Sequence, residues 1–301
     1  MPRRSQIARL QQALTLTLLA LALWWLASHW GSSPAIAVTG AVAILLAHAV
    51  ILALQLTFMV LASRGDFAPR PRRGQLLAAW WAEIWDDVVV FGWRQPYRWR
   101  AVPDHLPMAG ARAGTVFIHG FMCNRGFWTP WLREAARRGH AFVAVNLEPV
   151  FGSIDDYADT IEEAVARVTQ ATGKPPLLVC HSMGGLAARA WLRKRNGFDR
   201  VAHIITIGSP HRGTWLARFS RVANGMQMRL DGEWVTELAA LPTPRPGLFT
   251  CWYSNCDNVV FPPATATLPG ADNRLEEGAA HVELAFRPRV MQASLALAAT
   301  L

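Results

Sequence analysis

The chain has 301 residues, enough for one large α/β domain plus an appendage, so core size does not restrict its fold. Its formal charge of +9 rests on 30 basic residues, of which only Lys174 and Lys194 are lysines. The arginines run from Arg3 to Arg289 without gathering on one face, which argues against the basic, aromatic-lined stripe of a nucleic-acid binder. Four cysteines, Cys123, Cys180, Cys251 and Cys256, have no zinc-type spacing. A cytoplasmic domain keeps them reduced, and a disulfide is open only if the topology is inverted. Neither a metal nor a cofactor is expected.

Residues 1–73 read as a membrane anchor. Leu10 to Ala27 and Ala35 to Ala62 are apolar runs, and they predict two transmembrane helices, at about 10–28 and 35–62. The connector Ser28 to Pro34 carries no Lys or Arg, whereas Arg3, Arg4 and Arg9 precede the first run and Arg64, Arg70, Arg72 and Arg73 follow the second. The positive-inside rule then predicts a multi-pass protein of the inner (cell) membrane with the domain that follows the anchor in the cytoplasm. A cleaved signal peptide is the competing reading of the first run. Its length, the Trp24-Trp25 pair and the second run argue against it. Trp24, Trp25 and Trp30 suit the outer interface, and neither run carries the ionisable residues of a transport path.

Residues 74–95 predict an amphipathic linker helix, with Leu76, Leu77, Trp80, Trp81, Ile84, Trp85 and Val88 at helical spacing. Such a stripe either lies on the bilayer surface or packs on the domain that follows.

From residue 96 to 301, short apolar runs alternate with helical stretches, the pattern of a mostly parallel sheet covered by helices on both faces. Predicted strands are Thr115 to Ile118, Ala141 to Val145, Leu177 to Cys180, His203 to Ile207 and Leu248 to Tyr253. A helix is predicted from Asp155 or Asp156 to about Ala171, with acidic residues in its first turn and Gly173 after its last. The first strand runs into His119-Gly120-Phe121-Met122, where Gly120 permits close backbone approach and the Phe121 N–H becomes a candidate oxyanion donor. His119 is expected to hold this loop by hydrogen bonds. The third strand runs into Cys180-His181-Ser182-Met183-Gly184-Gly185 and then a helical run to Arg195, a nucleophile elbow. Ser182 is its candidate nucleophile and Met183 its oxyanion donor. Cys180 stands where the motif usually has glycine, and a small residue is tolerable there.

Three stretches, Val116 to Phe121, His181 to Leu186 and Ile207-Gly208-Ser209-Pro210-His211-Arg212-Gly213-Thr214, resemble consecutive signatures of bacterial triacylglycerol-lipase-like members of the α/β-hydrolase superfamily. The resemblance covers roughly residues 110 to 290 and implies an α/β-hydrolase fold with triad members in the order Ser, acid, His. Asp257, in the loop after the last predicted strand, is the implied carboxylate; Asp231, Glu233 and Asp272 are weaker alternatives. His281, delivered by a small-residue loop and the sole histidine after residue 211, is the implied base. The segment 212–246, rich in Met and aromatic residues and closed by Pro242, Pro244 and Pro246, is either a lid over an acyl groove or a pair of packed cap helices. Asn124 and Arg125 either support the oxyanion loop or meet a head group.

The expected function is a membrane-tethered serine hydrolase that cleaves carboxylic esters of lipase or esterase type through an acyl-enzyme. Its expected partners are the bilayer and a lipid or other apolar ester. A thioesterase, phospholipase or acyltransferase would use the same triad, and a catalytically silent scaffold would retain only the fold.

Overall fold

The computed structural model describes residues 5–107, 112–240 and 247–301. Arg3 and Arg4, and Pro242, Pro244 and Pro246 at the end of the 212–246 segment, lie outside the described residues.

Six strands form one all-parallel sheet in the order β2-β1-β3-β4-β5-β6. They are β1 (Thr115–Ile118), β2 (Phe142–Ala144), β3 (Leu177–His181), β4 (His203–Ile207), β5 (Phe249–Tyr253) and β6 (Asp272–Leu275). The central strands are apolar runs because helices cover both faces. Alternate residues serve opposite layers: Val116, Ile118, Leu178 and Cys180 face the helices Ala158–Thr172 and Met183–Arg195. Phe117, Leu177 and Val179 face Trp131, Leu132, Val290 and Leu295 on the helices Thr129–Arg137 and Pro288–Thr300. The five predicted strands are present to within a residue or two at each end. The sixth, β6, was not predicted: Asp272-Asn273-Arg274-Leu275 is a polar edge strand held by backbone pairing to β5, with no apolar alternation to announce it.

The amino-terminal region departs from the predicted pair of spans. Among the described residues, α1 (Gln6–Trp30) is the one helix that is by itself long and apolar enough to cross a bilayer. The second apolar run is broken at Leu46 into α2 (Pro34–Leu45) and α3 (Ala47–Ala62), bent by 50°. Competing packing explains the break. α2 folds back along α1, where Trp25 Nε1 donates to the Ile36 carbonyl. α3 is drawn instead onto α4 (Arg73–Val89), where the Trp80 indole donates to the Ala49 carbonyl at 2.8 Å, and onto the sheet-bearing unit, where Met59 is fully buried against Phe261.

Both faces of α4 are occupied differently. Ala79, Glu83 and Ile84 are buried against the rest of the protein, while Leu77, Trp81 and Trp85 are each at least 60% exposed. A π-helical turn, Val90–Arg94, leads from α4 toward the sheet.

Candidate active site

The chain leaves β1 for one edge of the sheet and, from β3 onward, builds toward the other. The carboxyl ends of β1 and β3 therefore flank a topological switch point, the place where open parallel sheets form a crevice. The loop after β1 carries Gly120 and Phe121, and the turn after β3 carries Ser182 and Met183.

Ser182 has φ +54 and ψ −129, a conformation that side-chain-bearing residues rarely adopt. Two glycines in the first turn of the helix that follows let it pack this close: a Cβ on Gly184 would come 2.5 Å from the Ile118 carbonyl oxygen, and one on Gly185 would collide with Ser209. Met183 begins the helix Met183–Arg195, so its N–H has no intrahelical acceptor. Across the crevice, the loop after β1 is also strained, with Met122 at φ +53. His119 braces that loop: its Nδ1 lies 2.9 Å from the Gly120 carbonyl and its Nε2 accepts the Leu147 N–H at 3.0 Å. Burial lowers its pKa to about 4, so it stays neutral. Asn124 and Arg125 are loop supports. Asn124 donates to Gln95, and the buried guanidinium of Arg125 pairs with Asp104 at 2.8 Å.

Asp257 and His281 meet. The His281 Nδ1 lies 2.9 Å from Asp257 Oδ2 and 3.0 Å from Oδ1, and both residues are buried. Asp257 Oδ1 also accepts the Val259 and Val260 N–H groups, at 2.9 and 2.7 Å, which fixes the carboxylate. Gly208 abuts the pair, and a Cβ there would come 3.0 Å from Asp257 Oδ2. The other acids lie elsewhere: Asp231 pairs with Arg212 on the surface, Asp272 pairs with Arg274 on the edge strand, and Glu233 starts a helix. No Ser182 Oγ to His281 hydrogen bond forms among the described residues; the rings of His181 and His281 touch, at 4.7 Å between centroids. In unliganded sites such a bond is often open and tightens on substrate.

Sequence reasoning missed several contributors. His181, whose Nε2 lies 3.2 Å from the His281 carbonyl oxygen, was visible only as a variable position of the elbow. Burial pushes its pKa well down, so it is a neutral donor there. Asn258 accepts the His281 N–H at 3.0 Å and is held by Gln55 of α3 at 2.8 Å. Gln11 of α1 donates to the carbonyl of strained Met122 at 3.2 Å.

The described part of the 212–246 segment forms a 3-10 turn, Trp215–Phe219, and two short helices, Ala223–Gln227 and Glu233–Ala239. Val235 and Leu238 enter the core, whereas Phe219 and Met226 are exposed. No group of three or more His, Cys, Asp or Glu side chains able to hold a metal occurs among the described residues.

The parallel sheet, the strained serine and the acid–histidine pair define an α/β-hydrolase architecture. Residues 115–299 match the model of the Alpha/beta hydrolase family, and the chain belongs to that family. Among solved structures, the mature form of the Bacillus licheniformis lipase BlEst2 is similar at 18% identity and TM-score 0.56, covering 65% of this chain and 95% of that one. Aspergillus fumigatus lipase B is similar at 17% identity and TM-score 0.50, covering 55% of this chain and 45% of that one. At these identities the likeness concerns the fold. None of the curated proteins matches the chain.

Proposed function

We propose that this protein is a serine hydrolase that cleaves carboxylic esters of apolar substrates through an acyl-enzyme. The observation that carries the reading is the buried Asp257–His281 pair, 2.9 Å apart, together with Ser182 held at φ +54 next to His181, whose ring touches that of His281. In the proposed cycle Ser182 Oγ attacks the ester carbonyl while His281 takes its proton, and Asp257 orients the ring and stabilises the imidazolium. The Phe121 and Met183 N–H groups receive the developing oxyanion. His281 then protonates the departing alkoxide, and water releases the acid by the same relay.

We also infer that the enzyme is tethered to a membrane through α1. Leu14, Leu16, Leu19, Leu21 and Leu23 are exposed along it, an arrangement that water disfavours and lipid accepts. The foot of α1 is bonded to the hydrolase unit: Gln6 N–H to Glu148 at 2.8 Å, and Gln12 to the Pro96 carbonyl at 2.6 Å. These bonds tie α1 to the folded unit, which favours its retention. The exposed Trp81 and Trp85 face of α4 suits the interfacial layer, and Arg64, Arg70, Arg72 and Arg73 favour the cytoplasmic side.

Fluorophosphonate labelling tests the chemistry. The wild type is expected to hydrolyse p-nitrophenyl esters and to label on Ser182, and Ser182→Ala is expected to do neither. A Ser182→Ala variant with full esterase activity would reject the assignment. Turnover confined to thioesters or phospholipids would move the enzyme to those classes.

A further inference from the structure

The six-residue helix His281–Phe286 that presents the candidate base begins with amide groups that have no acceptor inside the helix. Side chains from elsewhere take them. Asn258 accepts from His281 itself, and the next two amides are taken by a single carboxylate from α4. The Val282 N–H lies 3.0 Å from Glu83 Oε1 and 3.1 Å from Oε2, and the Glu283 N–H lies 3.1 Å from Oε2.

Glu83 is only 2% exposed, and no cation pairs with it among the described residues. Its acidic surroundings make it an expensive choice. Burial pushes its pKa well up, and Asp87 on the same helix and Asp257 add to the effect, while the two amides oppose it. Asp87, in turn, is pushed up to about 7 by burial and by Asp86, with His281 opposing. On the histidine's side, the Glu283 carboxylate turns away to accept the Ala280 N–H and to pair with Arg287. Stability alone would favour an uncharged acceptor or an apolar contact at such a site. Carboxylates kept in unfavourable surroundings cluster where chemistry needs them.

We propose that Glu83 is a positioning residue for the candidate base: by gripping the two amides after His281, α4 sets the imidazole against Asp257 and Ser182. This inference rests on the hydrolase reading above. The amino-terminal extension then completes the active site as well as tethering it. The neighbouring contacts follow the same plan. Gln55 of α3 holds Asn258 at the start of the histidine helix, and Gln11 of α1 holds Met122 in the oxyanion loop. Three segments of the site, the oxyanion loop, the Asn258 loop and the histidine helix, thus each have a strut from a different amino-terminal helix.

The test uses the full-length protein in detergent, with Glu83→Ala, Glu83→Gln and, as a control on the exposed face of the same helix, Leu77→Ala. Active sites are counted by fluorophosphonate titration. The acylation rate constant and KM are measured, and kcat is expressed per titrated site, because a merely structural role would lower the number of sites and leave their rates alone. Glu83→Ala is expected to lower the per-site kcat and acylation rate about 10- to 100-fold with KM nearly unchanged, as misplacement of a reacting group does. Glu83→Gln, which keeps one acceptor oxygen, should fall between Ala and wild type, and Leu77→Ala should match wild type. A Glu83→Ala per-site rate within about twofold of wild type overturns the inference, whatever happens to yield or melting temperature. Where Glu83→Ala does not fold, Glu83→Gln decides, and a wild-type kcat in that variant overturns it equally. A wild type inert to the probe would sink the hydrolase reading and this inference with it, whereas a reactive wild type with an unaltered Glu83→Ala variant would sink this inference alone.

Discussion

Gly120 lies so close against Ser182 that a Cβ on it would come 2.7 Å from the serine Cβ and 3.3 Å from Oγ. The loop after β1 and the turn after β3 can share one crevice only because that side chain is missing. Gly120→Ala should therefore push the Phe121 loop away from Ser182, the candidate nucleophile. The expected result is a fall in kcat/KM of about 10- to 100-fold, with a stability loss of about 1–3 kcal/mol from overpacking. Ester kinetics beside thermal unfolding check it, and wild-type kcat/KM in a folded variant would show that the close approach does not matter.

Asp257→Asn keeps the size of the carboxylate but turns one oxygen into a donor, which favours the wrong histidine tautomer. On the triad reading kcat should fall about 10⁴-fold while the fold survives. Substitution of Asp231, the surface partner of Arg212, should leave esterase activity near wild type. Equal losses in the two variants would remove Asp257 from the mechanism.

His119 predicts a pH dependence of stability. The native state holds it neutral, with a pKa lowered from 6.5 to about 4 by burial, whereas the unfolded chain protonates it near 6.5. Its contribution is whole above pH 6.5 and is lost as the pH falls toward about 4, because the unfolded state binds the extra proton first. In His119→Gln the melting temperature should fall less steeply across that window. Identical slopes for the two proteins would assign the acid sensitivity to other groups.

The tether can be tested without activity. Leu16, Leu19 and Leu23 are exposed on α1 and make no part of the catalytic crevice. Arginine at all three positions adds about 2.5–3.5 kcal/mol per residue near a bilayer centre. The wild type should stay with the membrane through an alkaline carbonate wash, and the triple variant should be released. Retention of the variant would place the membrane attachment in another segment.

Much of the hydrolase unit was readable from local signals. β1, β3, β4 and β5 are buried apolar runs, and the glycines after β1 and β3 mark turns that only a missing side chain permits. Ser182 was singled out by its strand-to-helix turn, and Asp257 and His281 because the resemblance implies the order Ser, acid, His, which leaves few choices downstream. Fold and site part company at the contacts made across the chain. Glu83 reaches Val282 over 199 residues and Asn258 reaches Gln55 over 203, and no periodicity or motif records such a meeting. The amino-terminal apolar run from Ala35 to Ala62 teaches the same lesson in reverse. Composition alone makes it a span, but α2 pairs with α1 while α3 is pulled onto α4 and the hydrolase unit, so the helix bends by 50°. Residue chemistry and motif order by themselves therefore singled out the candidate reacting groups and the surfaces that water would reject. Only the tertiary structure decided which helices brace those groups, because close packing and buried hydrogen bonds depend on distances that the order of residues does not contain.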